Sequence, residues 1–308
     1  MTPNAVNTIM EKALYITKDE QQTPKCAIDI RIITHNIRYA TEKPFKGEEF
    51  WEVRCPRLCS ELVINSITPS TFICLQEVLH SQLVDVHTAL NECPSAAGTW
   101  DYIGVGRKNG KRAGEYSPIF YRPSVWKLKR WETNWLSPTP DVPSKGWDAA
   151  NIRIVTIGIF IHHETGQKVA VLSTHFDHEG VKSRRESAKL ILAVVKTLTD
   201  TEKPAAVLLA GDFNSPPDDD GYKIMTSPES TMEDICLQVP KEKRSGNENT
   251  FTSFGYVDRK MSRIDFIFSR KCDKIKYLMY GVMANRFDDG IILSDHRACV
   301  ADVLLEEA

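Results

Sequence analysis

Short aliphatic runs recur along this chain, and each closes on a small polar cluster. Ile28 to Ile33 alternates and is rich in isoleucine, which predicts a first strand. Phe50 to Ser66 carries Val53, Leu58 and Leu62 near helical spacing and predicts a helix. Phe72 to Leu75 reads as a short buried strand and Ser81 to Leu90 as the next helix. Tyr102 to Val105 and Ser117 to Tyr121 read as strands around a glycine-rich basic turn. Ile152 to His162 and Lys168 to Thr174 read as a hairpin turning at Glu164 to Gly166. Val181 to Leu198 is the clearest helix, with Ala188, Ile191, Leu192 and Val195 on one side. Ala205 to Ala210, Ile264 to Ser269 and Val300 to Leu304 complete the strands.

Strands and helices alternate to the end, with no repeat and no obvious linker. That predicts one α/β domain over residues 26–308, and residues 1–25 read as a weak helix or a loose arm. Hairpin-like pairs recur, so two packed mixed sheets flanked by helices fit better than a purely parallel sheet.

Composition narrows the picture. A chain of 308 residues at 42% hydrophobic can bury a large core. Its 39 basic and 41 acidic residues nearly cancel, unlike the basic excess of a protein that coats nucleic acid. The eight cysteines form no Cys-x-x-Cys pair, and the sequence favours reduced thiols over disulfides. No signal-peptide run and no membrane-length run is seen. The reading is a soluble intracellular protein, cytoplasmic or nuclear, with no obligate protein partner.

The polar clusters carry the chemistry. They are Thr34-His35-Asn36-Ile37-Arg38, Leu75-Gln76-Glu77-Val78, Ser173-Thr174-His175-Phe176, Gly211-Asp212-Phe213-Asn214, Arg263-Ile264-Asp265-Phe266 and Ser294-Asp295-His296. Strand ends of one sheet can converge on one cleft, so these residues can act together. Asp212 and Asn214, two apart on an extended chain, would point the same way. A carboxylate beside a carboxamide suits a hydrated phosphate site, although a polar turn has the same composition. Glu77, flanked by apolar residues, needs a partner: an arginine or a hard cation such as Mg²⁺. Asn36 could sit beside it, or form an Asx turn. His296 cannot be oriented by its neighbour Asp295, since successive residues of a strand face opposite ways. Asp265 is its best partner, unless Asp265 pairs with Arg263 or Arg259.

These motifs, in this order, resemble the endonuclease/exonuclease/phosphatase superfamily, from about Ile30 to Leu304. The resemblance implies a four-layered α/β sandwich and in-line attack of water on phosphorus, with Mg²⁺ as cofactor and Mn²⁺ as an alternative. It implies Glu77 on the metal with Asn36 close by, and Asp295 completing the metal or water network. It gives Asp212 and Asn214 the water and phosphate, His175 the transition state, and Asp265 the orientation of the base His296. Tyr116 in Gly114-Glu115-Tyr116, and Trp147 in Lys145-Gly146-Trp147, belong to stretches that look like a microbial branch of the superfamily. Tyr116, Arg38, Asp177, His178 and Trp147 are the expected substrate contacts.

Two substrate classes then compete, a small phosphorylated metabolite and a nucleic acid. The balanced charge favours the metabolite slightly. Arg107, Lys108, Lys111 and Arg112 form a local basic loop, either solvated or a phosphate-binding rim. A catalytically silent binding module on the same scaffold is the alternative, but all the acids and imidazoles are intact. A lipid-headgroup esterase would want an exposed apolar loop, and none stands out.

Overall fold

The structure is a computed structural model that describes residues 27–93, 95–255 and 260–307. The expected arm at residues 1–25 lies outside the described residues. Two mixed β-sheets face each other with helices on the outside, as the sequence predicts.

The first sheet contains β1 (Ile28–Asn36), β2 (Thr71–Gln76), β3 (Asp101–Ile103) and β4 (Ile119–Tyr121). The second contains β5 (Trp126–Trp135), β6 (Ile154–His162), β7 (Lys168–His175), β8 (Ala206–Asp212) and β9 (Met232–Asp234). The remaining strands are β10 (Arg244–Gly246), β11 (Asp265–Arg270), β12 (Ile275–Val282) and β13 (Cys299–Leu305). The seven-stranded sheet runs β10-β12-β13-β1-β2-β4-β3, and the six-stranded sheet runs β5-β6-β7-β8-β11-β9.

The inner core joins Ile30, Ile32, Phe72 and Cys74 of one sheet to Val169, Val171, Leu208 and Ile267 of the other. Helices α1 (Trp51–Asn65) and α2 (His80–Glu92) cover the first sheet through Leu58, Leu62, Leu83 and Val86. Helix α3 (Val181–Glu202) covers the second through Ala188, Ile191 and Val195. Both faces of the central strands are therefore buried, which explains their continuous apolar runs. The cysteines at 55, 59, 74, 93, 236, 272 and 299 are free thiols. No described helix is long and apolar enough to cross a membrane.

The sequence did not predict the three-residue strands β9 and β10, nor the longer β5 and β12. Each of the longer two has a register irregularity, between Leu128 and Arg130 in β5 and between Tyr277 and Met279 in β12. An irregularity of that kind breaks the period-two alternation by which a half-buried strand is recognised.

Strand direction places the site. β1 runs parallel to β2 with Asn36 opposite Gln76, and β7 runs parallel to β8 with His175 opposite Asp212. β11 is antiparallel to β8 and starts with Asp265 opposite Asp212. β13 is antiparallel to β1, so the segment before it, with His296, reaches the same edge. Parallel strands that end there and antiparallel strands that begin there deliver their terminal residues to one place. Gly211 allows β8 to pass close to β7, because a Cβ there would lie 2.1 Å from the Thr174 carbonyl oxygen.

Candidate active site

One amide nitrogen marks the centre of the cleft at this edge. Asn36 Nδ2 donates to Asp212 Oδ2 at 2.9 Å and to Glu77 Oε1 at 3.1 Å, and lies 3.5 Å from His296 Nε2. Asn36 Oδ1 accepts the backbone N–H of Arg38 at 3.0 Å. In this arrangement the Asn36 amide nitrogen ties two carboxylates together, while its oxygen closes an Asx-type turn onto Arg38. Asn36 is the last residue of β1, not a residue beyond it.

Ser294 explains the serine of the last motif. Its hydroxyl donates to the Asn36 carbonyl at 2.6 Å and accepts the His296 N–H at 3.2 Å. Asn285 Nδ2 donates to the Ser294 carbonyl at 2.8 Å and fixes the same segment. The His296 ring then places Nδ1 2.8 Å from Asp265 Oδ2, as the sequence predicts, and Nε2 3.6 Å from Asp212 Oδ2. Arg263 pairs with Asp234 instead, at 2.7 Å. Burial alone would push the His296 ring down, but Asp265 and Asp212 outweigh it and hold it well above its ordinary value. Burial, then the nearby Asp265, pushes the Asp212 carboxyl up to about 7. Ligand atoms of Asp212, Asp265 and His296 lie within 4.8 Å of one another. With Nδ1 taken by Asp265 and Nε2 facing Asp212, this trio is an imidazole held between two carboxylates.

Asp212 and Asn214 do not sit on an extended chain. Asn214 adopts φ of 46°, and its N–H donates to Asp212 Oδ1 at 2.8 Å in an Asx-type turn. The turn brings Asn214 Nδ2 within 3.2 Å of His175 Nε2. Arg38 and Glu77 also have left-handed backbones, with φ of 56° and 60°. Strained non-glycine residues of this kind cluster where geometry serves a site.

Glu77 and Asp295 both line the cleft. Burial pushes the Glu77 carboxyl up, but Arg38 and the Asn36 hydrogen bond outweigh it and hold it below the ordinary value. Burial raises the Asp295 carboxyl, and the nearby Glu77 charge adds to that rise. Two oxygen donors that repel each other in one cleft suit a hard divalent cation.

The cleft also holds cationic groups. Arg107, Arg153, His175 and His178 line it with Glu115 and Asn151, and the whole cleft encloses about 590 Å³. Burial and then the charges of Arg153 and Arg107 push the His175 ring well below its ordinary value. Arg153 was missed in the sequence, although an arginine between Ile152 and Ile154 is a visible break in an apolar run. Arg107 belongs to the predicted basic loop and holds Glu115 at 2.6 Å.

Asp177, Tyr116 and Trp147 are not among the residues that line this cleft. Asp177 is fully buried, and its oxygens accept N–H groups of Ala150, Asn151, Glu179 and Gly180 and the Arg153 guanidinium. It positions Arg153 and presents nothing to the cleft. The Tyr116 hydroxyl donates to the Lys111 carbonyl at 3.0 Å. Arg38 and His178 do line the cleft. Arg38 is also flanked by the rings of Tyr39 and Phe45, at 4.2 and 4.8 Å.

A two-sheet α/β sandwich whose strand ends gather carboxylates, histidines and arginines into one cleft defines the class of DNase I-like proteins. The sequence profile described as Endonuclease/Exonuclease/phosphatase family matches residues 33–296, and the chain belongs to that family. It is similar to a solved endonuclease/exonuclease/phosphatase of Bacteroides vulgatus, at 33% identity and TM-score 0.78, covering 90% of this chain and 99% of that one. It is also similar to the mannosyl-6-phosphatase of Bacteroides thetaiotaomicron, at 30% identity and TM-score 0.77, covering 89% of this chain and 99% of that one. A protein of Acanthamoeba polyphaga mimivirus, L388, is 24% identical over 284 residues, 87% of this chain and 97% of the viral one.

Proposed function

We propose that this protein is a Mg²⁺-dependent phosphoesterase that hydrolyses a small phosphorylated metabolite, a sugar phosphate foremost, by in-line attack of water. The observation that carries the reading is the convergence at Asn36, where Glu77, Asp212 and the Asp265–His296 pair meet around one amide. The resemblance to a mannosyl-6-phosphatase supports a sugar phosphate, and the balanced charge of the chain supports a small substrate over a polyanion.

Glu77 and Asp295 would hold the cation, which supplies charge neutralisation at the phosphoryl and leaving oxygens. Arg107, Arg153, His175 and Asn214 line the same cleft and would contact the phosphate. Asp212 accepts a hydrogen bond from the attacking water and orients its lone pair toward phosphorus. The unit Asp265–His296–Asp212 takes the water's proton. His296, flanked by two carboxylates, is held as a cation that stabilises the developing phosphoryl charge. In this reading Asp212 receives the proton, with His296 Nε2 3.6 Å from its Oδ2.

The test is phosphate release from hexose phosphates, inositol phosphates, nucleotides, single-stranded RNA and abasic DNA. Each is run with Mg²⁺, with chelator, and with Glu77→Gln. Metal-dependent release from the hexose phosphates that is lost in Glu77→Gln is expected. Turnover confined to the nucleic acids would overturn the substrate class, and folded protein inert across the panel would favour a silent module.

A further inference from the structure

A second hollow, of about 680 Å³, opens beside the catalytic cleft and shares Pro216, Lys260 and Ser262 with it. Its wall is an open sheet edge. β10 pairs only with β12, and Arg244, Ser245 and Gly246 of β10 all line the hollow. Backbone donors of an edge strand are thus near the space.

Among the described residues its charge is one-sided: Lys241, Arg244, Lys260 and Arg263 line the hollow, against the acid Glu248. Arg263 is neutralised by Asp234 at 2.7 Å. The Arg244 guanidinium donates to the carbonyls of Val239 and Leu237, at 2.7 and 3.2 Å, and no carboxylate balances it among the described residues. Lys241 and Lys260 also make no ion pair with a described residue. This excess stands on a protein whose net charge is −2, so it is a local feature and not a property of the whole surface.

We propose that this hollow is a subsite for a second anionic group of the same small substrate, a phosphate or carboxylate beyond the one that is cleaved. The inference rests on the phosphoesterase reading and narrows it to substrates that carry two acidic groups. The cleft binds the scissile phosphate, Lys260 borders both spaces, and Lys241 with Arg244 receives the distal anion.

The test compares fructose 6-phosphate with fructose 1,6-bisphosphate on the Mg²⁺-loaded enzyme, in the wild type and in Lys241→Glu. Lys241 is exposed and lines only the hollow. The expected result is about a tenfold higher kcat/KM for the bisphosphate, lost in Lys241→Glu while the monophosphate is unaffected. Equal use of both substrates by the wild type overturns the proposal, as does a preference that survives the variant. If neither sugar phosphate is cleaved, the phosphoesterase reading has failed for this class and the hollow is tested alone. Calorimetry with inorganic tripolyphosphate then decides. Binding weakened about tenfold by Lys241→Glu supports the subsite, and absent or variant-insensitive binding overturns it.

Discussion

Asp265 Oδ2 and His296 Nδ1 lie 2.8 Å apart, although the two residues come from the start of one strand and the approach to another in a different sheet. The contact fixes which ring nitrogen faces the cleft, since a proton on Nδ1 donated to Asp265 leaves Nε2 toward Asp212. It also supplies charge that, against the effect of burial, raises the ring well above its ordinary value.

Asp265→Asn keeps the shape and removes the charge. The expected outcome is a fall in kcat of about a hundred- to ten-thousandfold with KM little changed. Steady-state kinetics beside far-UV circular dichroism checks it. A folded variant within a few-fold of wild type would mean that Asp265 is not part of the proton unit.

Glu77 offers a cleft-lining carboxylate held in the charged form by Arg38 and Asn36. Glu77→Gln should weaken Mg²⁺ binding by about ten- to a hundredfold and remove most activity. Titration calorimetry with Mg²⁺ alone reads the first effect independently of any substrate. Unchanged affinity would move the cation elsewhere in the cleft.

His35 and Glu61 make a buried pair behind the site. His35 Nδ1 lies 3.5 Å from Glu61 Oε1, and His35 Nε2 donates to the His296 carbonyl at 3.3 Å. Burial pushes the Glu61 carboxyl from 4.5 up to about 8 and the His35 ring from 6.5 down to about 4. Between these limits the folded protein holds a proton on Glu61 that the unfolded chain has released, so stability falls as pH rises through that window. His35 acts in the opposite direction, since its folded value is depressed, and its contribution is complete by pH 6.5. From pH 6.5 to 8 the Glu61 effect is unopposed, and a loss on the order of 1–2 kcal/mol is expected. Urea denaturation of wild type and Glu61→Gln measures it. The slope should be shallower in the variant by that amount, with His296 and Asp212 keeping their own share of it, and the same slope in both would refute the assignment.

Asp177 is the opposite case. Burial pushes its carboxyl up, but the N–H groups of Gly180, Ala150 and Asn151 and the Arg153 guanidinium outweigh it and hold it far below the ordinary value. Its stabilisation is present above the ordinary carboxylate range and is lost as pH falls through the folded value. Asp177→Ala leaves Arg153 buried without its partner and should cost about 3–5 kcal/mol at neutral pH. Denaturation midpoints at pH 7 and pH 3 would show a large gap from wild type at the first and a smaller gap at the second. A cost under about 1 kcal/mol at pH 7 would remove the structural role assigned to it.

By itself, the sequence determined the strand-and-helix alternation, the two-sheet sandwich and the set of residues that meet at its edge. Central strands buried on both faces write themselves as continuous apolar runs, and a charged residue at the end of such a run must have a partner or a task. That is why Asn36, Glu77, His175, Asp212, Asp265, Asp295 and His296 could all be found in advance. β5 and β12 stayed hidden because their register irregularities break the alternation on which recognition depends. Tertiary structure alone decided what each polar group faces. It turned the Asn36 amide into a hub, buried Asp177 behind Arg153, aimed the Tyr116 hydroxyl at Lys111 and set Asp212 beside His296. Hydrogen-bond partners and burial come from segments far apart in the chain, and no local pattern encodes them.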